Sequence, residues 1–366
     1  MNDFAVIIHP VNLELLHFFD PGTYRKGREN LIKKVLEWTP AFKASHVSGA
    51  RSITGKEIDG YLIMCPLLPD QILNMDSKLV LKKVIEAGKI AESLKVKIIG
   101  LGAYVALAGR KGVFVQRNLN TPVTTGTSYT IAIVLENVLK ISKEVGLRLE
   151  NMHITVIGAT GAIGSICSSI LSEKVGSLNL VARNNHRLEN LAYNLCKNKK
   201  NTAKIRISDN IRKSLHSADI IISATNTPEA LIDVNLLKPG TIVCDISQPH
   251  NISEEKATLK EDLLVIDGGV VRPPGDVEFN FNFGLTSGTA FACIAETMIL
   301  AFEERYESYS IGGRIVRQKV KEISRLATKH GFKLTEFRSF GKEIMREKIE
   351  KIKQIRKTVK NTTMCF

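Results

Sequence analysis

The sequence predicts an α/β fold with two domains, the second of which is a doubly wound parallel sheet. After residue 150, short β-rich runs alternate with helical segments and short connections, which is the rhythm of a parallel sheet. A glycine-rich turn follows the first of these runs and opens a helix. The 366 residues, 44% of them hydrophobic and 24% charged, exceed one ordinary domain and can bury two cores.

The N-terminal domain, residues 1–150, is predicted to mix strands with helices. The predicted elements are, in order, strands at 4–8 and 58–64, a helix at 78–94, a strand at 96–102 and a helix at 129–145. The strand at 96–102 runs into a glycine turn, and Gly146 ends the last helix. This long helix leads into the second domain.

Residues 151–285 are predicted to form the parallel sheet, and residues 286–366 to form C-terminal helices that pack back on the body of the protein. The predicted strands are 154–157, 178–182, 204–207, 220–224, 241–245 and 263–266. Helices are predicted at about 288–306 and 320–330, the second closed by Gly331.

Composition limits the class of protein. No apolar run approaches the roughly 20 residues that cross a bilayer, and the N-terminus lacks the basic start of a signal peptide. The six cysteines form no CxxC pair and no cluster at the spacing of zinc ligands. We therefore expect a soluble cytoplasmic protein with reduced thiols and no metal.

The net charge of +14 is concentrated in part near the C-terminus. Residues 341–360 contain eight Lys or Arg and three Glu. Such a helix could contact an acidic carrier protein or an anionic membrane surface, or it could be a solvated end. A loose apolar stripe over Ile344, Ile349, Ile352 and Ile355 favours packing on the protein. We expect no nucleic-acid binding, because no aromatic residues are interleaved with the basic ones.

The glycine-rich turn has the spacing GxxGxxG and predicts a Rossmann domain that binds a dinucleotide. Gly158 permits the tight turn, Gly161 lets the pyrophosphate approach the backbone, and Gly164 lets the helix close on the sheet. The intervening Thr160, Ala162 and Ile163 complete the predicted loop, whose N–H groups at the helix start would bind phosphate.

The following strand predicts which dinucleotide is bound. An enzyme that uses NAD usually places Asp or Glu at the end of this strand, to bind the ribose 2′-hydroxyl. Here the strand runs into Arg183 and Asn184, and Arg187 follows. A guanidinium suits a 2′-phosphate, so these residues favour NADPH. Small residues at two later strand ends, Ala224 with Thr225 and Gly268 with Gly269, are predicted to line the same groove.

Cys293 is the candidate nucleophile, although a lone cysteine among Ala and Phe in a helix is usually part of a core. Its predicted place near a helix start would lower the pKa of the thiol and favour the thiolate. No histidine is linked to it by sequence, so the general base stays unassigned.

Six segments, taken together and in order, resemble the cyanobacterial long-chain acyl-[acyl-carrier-protein] reductases. They are residues 100–102, 124–128, 158–164, 181–184, 267–271 and 291–296, within a similarity that covers roughly residues 4–335. The resemblance implies an N-terminal substrate domain and NADPH-dependent reduction of an acyl thioester to a fatty aldehyde. It also implies that Cys293 carries the acyl group as a thioester. Gly126, Thr127 and Ser128 are then candidates for contacts to the substrate oxyanion.

The sequence departs from that family at several places. Thr127 stands where the family has Asn, and Tyr129 stands at the family's His-like position. The stretch 273–287 also differs from the family pattern. The acyl length, the choice between acyl-carrier protein and coenzyme A, and the oligomeric state stay open. Two alternatives also remain: a dehydrogenase of a small polar alcohol or amine, similar to shikimate or amino-acid dehydrogenases, and a non-enzymatic NADPH-sensing or partner-binding protein.

Overall fold

The computed structural model describes residues 2–13, 28–227, 230–247 and 249–363, with side chains up to residue 358. The chain divides into two compact units. The first comprises Met1–Ala132 and Val270–Lys333, and the second comprises Ile133–Gly269 and Leu334–Phe366. Within the described ranges, every helix is too short or too polar to span a membrane.

The units differ from the predicted division at 150/151 and 285/286. The chain passes from the first unit to the second within one helix, α6 (Thr127–Glu144), and it returns to the first unit at Val270. It returns because β13 (Gly275–Glu278) pairs with an early strand of the first unit and because helix α11 (Ala292–Phe302) packs into that unit. Ten of the eleven residues of α11 are buried, so the helix is covered on all sides and belongs in a core.

The first unit is a six-stranded mixed sheet with flanking helices. Its earlier elements are β1 (Phe4–Ile8), α1 (Glu29–Trp38), β2 (Phe42–Arg51), β3 (Glu57–Met64), α2 (Pro69–Asn74), α3 (Ser77–Ser93), β4 (Ile98–Leu101), α4 (Ala108–Lys111), α5 (Val113–Arg117) and β5 (Val123–Thr124). Its later elements are β12 (Val270–Arg272), β13, β14 (Ala290–Phe291), α11 and α12 (Arg317–His330). The sheet order is β13-β2-β3-β1-β4-β5.

Strand β1 lies inside this sheet and is buried along its whole length, as expected for a continuous apolar run. It pairs in parallel with both β3 and β4, and β4 pairs in parallel with β5. The register aligns Gly100 with Thr124. Because parallel strands end at the same edge of a sheet, the segments that follow β4 and β5 emerge side by side. One of them is the predicted glycine turn after residue 100, and the other is the segment that contains Gly126.

The second unit contains the predicted doubly wound sheet. Its elements are β6 (His153–Ile157), α7 (Ala162–Leu171), β7 (Ser177–Val181), α8 (Asn185–Lys197), β8 (Lys204–Ser208), α9 (Ile211–Leu215), β9 (Ile220–Ser223), β10 (Ile242–Asp245), α10 (Glu254–Leu259) and β11 (Leu264–Asp267). All six strands are parallel, in the order β11-β10-β9-β6-β7-β8. The six predicted strands are confirmed to within one residue at each end, and the order is that of the Rossmann fold.

The C-terminal segment adds short strands and the basic helix. Strand β15 (Lys333–Leu334) lies at the boundary of the two units, and β16 (Arg338–Ser339), β17 (Lys342–Glu343) and α13 (Arg346–Thr363) follow. Helix α13 packs back on the second unit, as predicted. Its buried Arg356 donates hydrogen bonds to the carboxylate of Asp219 and to the carbonyl of Gly240, both over 2.6 Å. Two residues of the helix, Ile349 and Ile352, are also buried.

Candidate functional site

The glycine loop of the second unit begins with a tight turn at Gly158. The N–H of this residue donates to the carbonyl of Val181 over 2.9 Å, which joins the loop to the end of β7. Gly158 has φ of +79°, and a Cβ added to it would lie 2.4 Å from the carbonyl oxygen of Ala224. Only glycine fits this position, because a side chain would be strained and would overlap the backbone.

The loop ends at the N-terminus of α7. Gly161 is the N-cap of this helix, and no described side chain caps it. The first N–H groups of any helix lack partners within the helix, so those of Ala162, Ile163 and Gly164 are available to an anion. A Cβ added to Gly164 would lie 2.4 Å from the carbonyl oxygen of Gly158, which shows how closely the helix packs on the loop. The geometry fits a bound pyrophosphate.

The cationic segment after β7 lies beside this loop. The guanidinium of Arg187 reaches the carbonyl oxygen of Thr160 at 3.5 Å, and Arg183 is exposed just beyond the strand. Asn184 has a structural role that the sequence prediction did not include. Its side chain caps α8 by accepting the N–H of Arg187 over 2.9 Å, and so fixes the backbone that carries this arginine. This strand end carries cations and no carboxylate.

The other predicted groove residues lie at the carboxyl ends of two further strands of the same sheet. The N–H of Ala224 donates to the carbonyl of Ile157, so the residue lies directly beside the glycine loop. The carbonyl of Thr225 accepts the hydroxyl of Ser247 over 2.9 Å. Gly268 is tightly packed, whereas a Cβ added to Gly269 would meet nothing within 4 Å. Ligands of open α/β sheets bind at this edge.

A half-buried histidine at the same edge was not predicted. His250 lies between two carboxylates, with Nδ1 3.5 Å from Asp245 and Nε2 3.7 Å from Asp267. The backbone N–H groups of Phe340 and Gly341 donate to Asp267 and so tie the C-terminal segment to this cluster. Burial acts to lower the pKa of His250, but the two carboxylates outweigh it and raise the pKa above its ordinary value.

Besides the candidate nucleotide site of the second unit, a candidate catalytic site lies in the first unit, around Cys293. Helix α11 begins at Ala292, later than the predicted 288, because β14 forms first by pairing with β12. Cys293 is thus the second residue of the helix, and it is half-buried. Gly126 lies directly against it with φ of +70°: a Cβ added to Gly126 would lie 2.2 Å from the Cα of Cys293. The structure therefore brings together two segments that are more than 160 residues apart in the sequence.

The expected lowering of the Cys293 pKa is wrong in its net direction. Burial raises the pKa of this thiol above its ordinary value, and the nearby Glu296 carboxyl adds to the rise. Backbone N–H groups, above all that of Ala103 and then that of Ile294, act in the opposite direction. Ala103 follows β4 and has φ of +45°, a strained conformation for a residue with a side chain. The strained turn after β4 thus supplies the strongest of these N–H groups.

Glu296, one helical turn after Cys293, is fully buried, and the sequence prediction missed it. Its Oε1 accepts the hydroxyl of Thr124 over 2.5 Å, and its Oε2 accepts the N–H of Tyr129 over 2.8 Å. Burial raises the pKa of this carboxyl, although these hydrogen bonds and one from Ser310 act against the rise. Glu296 therefore links α11 to both ends of the turn that contacts Cys293. A single charged residue in an otherwise uncharged helix is the signal that could have identified it.

The predicted oxyanion candidates lie within this turn. Ser128 is fully buried, and its hydroxyl accepts that of Ser310 over 2.7 Å. Thr127 is half-buried, and its hydroxyl is 2.8 Å from that of Thr125. Gly126, Thr127 and Ser128 are thus brought to the side of Cys293. His250, the last histidine before Cys293 in the sequence, belongs instead to the second unit.

A protein-family model matches the part of the chain that forms the sheet of the second unit. The family model of shikimate/quinate 5-dehydrogenase matches residues 140–267, which span the parallel sheet and its glycine loop. The match covers about a third of the chain and all of the predicted cofactor residues except Gly268 and Gly269, which follow directly after it.

Curated relatives extend over more of the chain at lower identity. The aminotransferase PigE of Serratia is 26% identical over 89% of this chain, but the chain spans only 37% of its length. The long-chain acyl-[acyl-carrier-protein] reductase of Synechococcus elongatus is 29% identical over 77% of this chain and 84% of its own length. A glutamyl-tRNA reductase of Campylobacter lari is 26% identical over 56% of this chain and 41% of its own.

Solved structures with similar folds include L-tryptophan dehydrogenase from Nostoc punctiforme, with 12% identity and a TM-score of 0.42 over 98% of this chain and 89% of that one. Shikimate 5-dehydrogenase from Listeria monocytogenes has 11% identity and a TM-score of 0.37 over 89% and 96%. The glycine loop, the sheet order and the match to a dehydrogenase family model support one conclusion: the second unit is a dinucleotide-binding domain of the kind found in NAD(P)H-dependent oxidoreductases.

Proposed function

We propose that the protein is an NADPH-dependent reductase that converts an acyl thioester to an aldehyde through an acyl group on Cys293. The observation that carries the proposal is the convergence on Cys293 of a strained N–H donor at Ala103 and the turn at Gly126. A cysteine that served only as packing would need neither. The similarity to the acyl-[acyl-carrier-protein] reductase of Synechococcus elongatus supports the same chemistry.

NADPH is the form of the cofactor that suits the second unit. The N–H groups at the start of α7 would bind the pyrophosphate, and Arg183 with Arg187 would bind the 2′-phosphate. The cap at Asn184 fixes the backbone of Arg187, and the guanidinium of Arg187 lies 3.5 Å from the carbonyl oxygen of Thr160 in the glycine loop. When bound, NADPH supplies the hydride that reduces the acyl carbon.

Cys293 forms and later breaks the bond to the acyl group. Its sulfur attacks the carbonyl carbon of the incoming thioester, the carrier thiolate leaves, and the thiolate takes up the proton that Cys293 gave away. After reduction, the oxyanion on the acyl carbon collapses, the bond to the Cys293 sulfur breaks, and the aldehyde leaves. The Cys293 thiolate then takes up a proton from solvent, which is the one proton that the overall reaction consumes.

The raised pKa of Cys293 suits this cycle only if the thiolate is stabilised when it forms. The N–H groups of Ala103 and Ile294 supply that stabilisation at the sulfur. The buried Glu296 holds the turn 124–129 in place beside the sulfur. Thr127, at the half-buried first turn of α6, is the best placed of the three oxyanion candidates to meet a substrate.

Replacing Cys293 tests the proposal. Cys293→Ala should abolish aldehyde formation and leave NADPH binding unchanged, because the side chain is not part of the predicted nucleotide site. Cys293→Ser should be nearly as inactive, since a hydroxyl is scarcely ionised at neutral pH. Cys65→Ala is the matched control: Cys65 is a buried core residue of the same unit, and this variant should keep its turnover. Full turnover in Cys293→Ala would contradict the proposal.

A second candidate function is favoured by one observation, the shikimate/quinate dehydrogenase match over residues 140–267. A dehydrogenase of a small polar alcohol or amine needs no covalent intermediate. Alkylation of Cys293 should then leave the activity of the enzyme intact, whereas an acyl thioester reductase should lose it in proportion to labelling.

A further inference from the structure

The segment after residue 107 contains a turn in the left-handed conformation, which L-amino acids rarely adopt. Gly109 has φ of 56° and ψ of 52°, and Arg110 has φ of 57° and ψ of 51°. Lys111 and Gly112 continue with φ of +55° and +82°. A left-handed conformation costs about 1–2 kcal/mol for each residue with a side chain. Two cationic residues are therefore held in a strained turn, and strain of this kind accumulates at ligand sites.

The turn is held by a second loop that is also rich in positive φ. Ser310, Gly312 and Gly313 have φ of +31°, +79° and +71°. The N–H of Gly312 donates to the carbonyl of Lys111 over 2.8 Å. A Cβ added to Gly313 would lie 2.5 Å from the side chain of Lys111. The two loops therefore pack tightly against each other within the first unit.

Both loops border the turn that contacts Cys293. A Cβ added to Gly112 would lie 3.3 Å from the methyl group of Thr125. The hydroxyl of Thr125 donates to the carbonyl of Ser310 over 2.5 Å. Thr125 is followed by Gly126, which lies against Cys293. A ligand bound at the strained turn would thus be a neighbour of the candidate nucleophile.

Two exposed arginines at this turn share one aromatic ring. The guanidinium carbons of Arg110 and Arg117 lie 5.5 and 5.4 Å from the centre of the Phe114 ring. Neither forms an ion pair with a carboxylate from the part of the chain that the structure describes. Two guanidinium groups at one ring repel each other unless an anion lies between or beside them. Guanidinium binds phosphate through paired hydrogen bonds, so the arrangement fits a phosphate group.

We infer that Arg110 and Arg117, here called the arginine pair, bind the phosphate of the phosphopantetheine arm that carries the acyl thioester. The inference rests on the proposed function and names the part of the substrate recognised beside the cysteine site. Coenzyme A and acyl-carrier protein both attach the thiol to a phosphate through pantetheine. A phosphate site near Cys293 therefore serves either carrier, and it anchors the arm while the thioester end reaches the sulfur.

The test compares acyl-phosphopantetheine with acyl-pantetheine, which lacks only the phosphate. Arg110→Gly removes a cation and relieves the left-handed strain, so it should raise the melting temperature while it raises KM for acyl-phosphopantetheine roughly tenfold or more. Arg117→Ala should raise the same KM without the gain in stability. Neither variant should change KM for acyl-pantetheine. The exposed Arg325→Ala in the same unit is the matched control and should change nothing.

Acyl-coenzyme A and acyl-carrier protein serve as the two natural sources of the same phosphate. Equal losses with both, and with acyl-phosphopantetheine, would support the inference. A loss confined to acyl-carrier protein would overturn it, because the pair would then recognise the protein surface. An unchanged KM for acyl-phosphopantetheine in both variants would also overturn it, even if an acyl group still forms on Cys293. If no acyl group forms there, the proposed function fails, but calorimetric binding of phosphopantetheine to wild type and Arg110→Gly still decides the phosphate site.

Discussion

The glycine loop of the second unit and the cysteine site of the first both depend on glycines that allow close approach, but they are assembled in different ways. The loop is one continuous segment, 158–164, completed by the ends of neighbouring strands. The cysteine site joins the segments after β4 and β5 to the start of α11 and to Ser310. The first exposes backbone N–H groups to an anion, whereas the second surrounds one sulfur and raises its pKa.

The difference shows how each kind of site is encoded in the sequence. A phosphate-binding loop needs only backbone geometry, so a short motif can encode it. A half-buried nucleophile that must be stabilised needs donors from several directions. The chain supplies them by adding α11 to the sheet of the first unit, although α11 follows the whole parallel sheet in the sequence.

A substitution that blocks the close approach of Gly126 to Cys293 should have the largest effect on stability. Gly126→Ala places a Cβ 2.2 Å from the Cα of Cys293 and forces φ of +70° on a residue with a side chain. We expect a loss of stability of about 3 kcal/mol or more, with loss of acylation. Gly269→Ala is the control, because its Cβ would meet nothing within 4 Å. Denaturant unfolding measures both variants, and a wild-type free energy of unfolding for Gly126→Ala would contradict the close contact.

The matching change in the glycine loop should separate binding from folding. Gly161 has φ of −76°, so a side chain is tolerated by its backbone, yet it stands where a pyrophosphate must approach. Gly161→Val should abolish NADPH binding while the melting temperature without ligand changes little. Nucleotide titration and thermal unfolding check the two parts. Normal NADPH binding would place the pyrophosphate elsewhere.

The choice of cofactor gives an intermediate effect. Arg183→Ala should weaken NADPH binding by about 1.5–3 kcal/mol, as expected for hydrogen bonds to a charged group, and should spare NADH. Arg187→Ala should act similarly and should also release the carbonyl of Thr160. Titration with both nucleotides measures the preference. Equal affinity of the unmutated protein for NADPH and NADH would contradict the assignment.

The smallest expected effect is the pH dependence of stability that comes from His250. The pKa of His250 is raised by Asp245 and Asp267, with a further contribution from Glu254, so its protonated form stabilises the fold. That contribution is fully present below the ordinary pKa of about 6.5 and is lost as the pH rises through the higher folded value. His250→Asn should therefore be less stable than wild type at about pH 6, by an amount that shrinks by about pH 9. A pH-independent difference between the two melting temperatures would contradict this role.

The sequence predicts the second unit better than the first. Runs such as Ile220–Ser223 are short, apolar and bounded by polar residues, so local pattern alone identifies them as strands. The roles of Gly158 and Gly164 follow from a motif whose parts are all close together in the sequence. Asn184 was assigned to the cofactor from its position, while its cap on α8 depends on side-chain geometry.

The first unit could not be predicted to the same depth, because its decisive contacts are distant in sequence. Strand β14 delays the start of α11 only because it pairs with β12. Burial, which reverses the expected direction of the Cys293 pKa, depends on the packing of α11 into a sheet built from residues far earlier in the chain. The left-handed turn at Arg110 has no signal in residue type, since arginine rarely adopts that conformation.

The central claim is that Cys293 carries the acyl group, and mass spectrometry tests it most directly. Wild-type protein is incubated with an acyl thioester in the absence of NADPH, separated from free substrate and digested. The account predicts one acyl group per chain on the peptide that contains Cys293. Hydroxylamine should release it, and aldehyde should form in equal amount when NADPH is added to the undigested protein. An acyl group on Cys65 or Cys244 would move the nucleophile. No adduct, with turnover preserved in Cys293→Ala, would contradict the account and favour a dehydrogenase without a covalent intermediate.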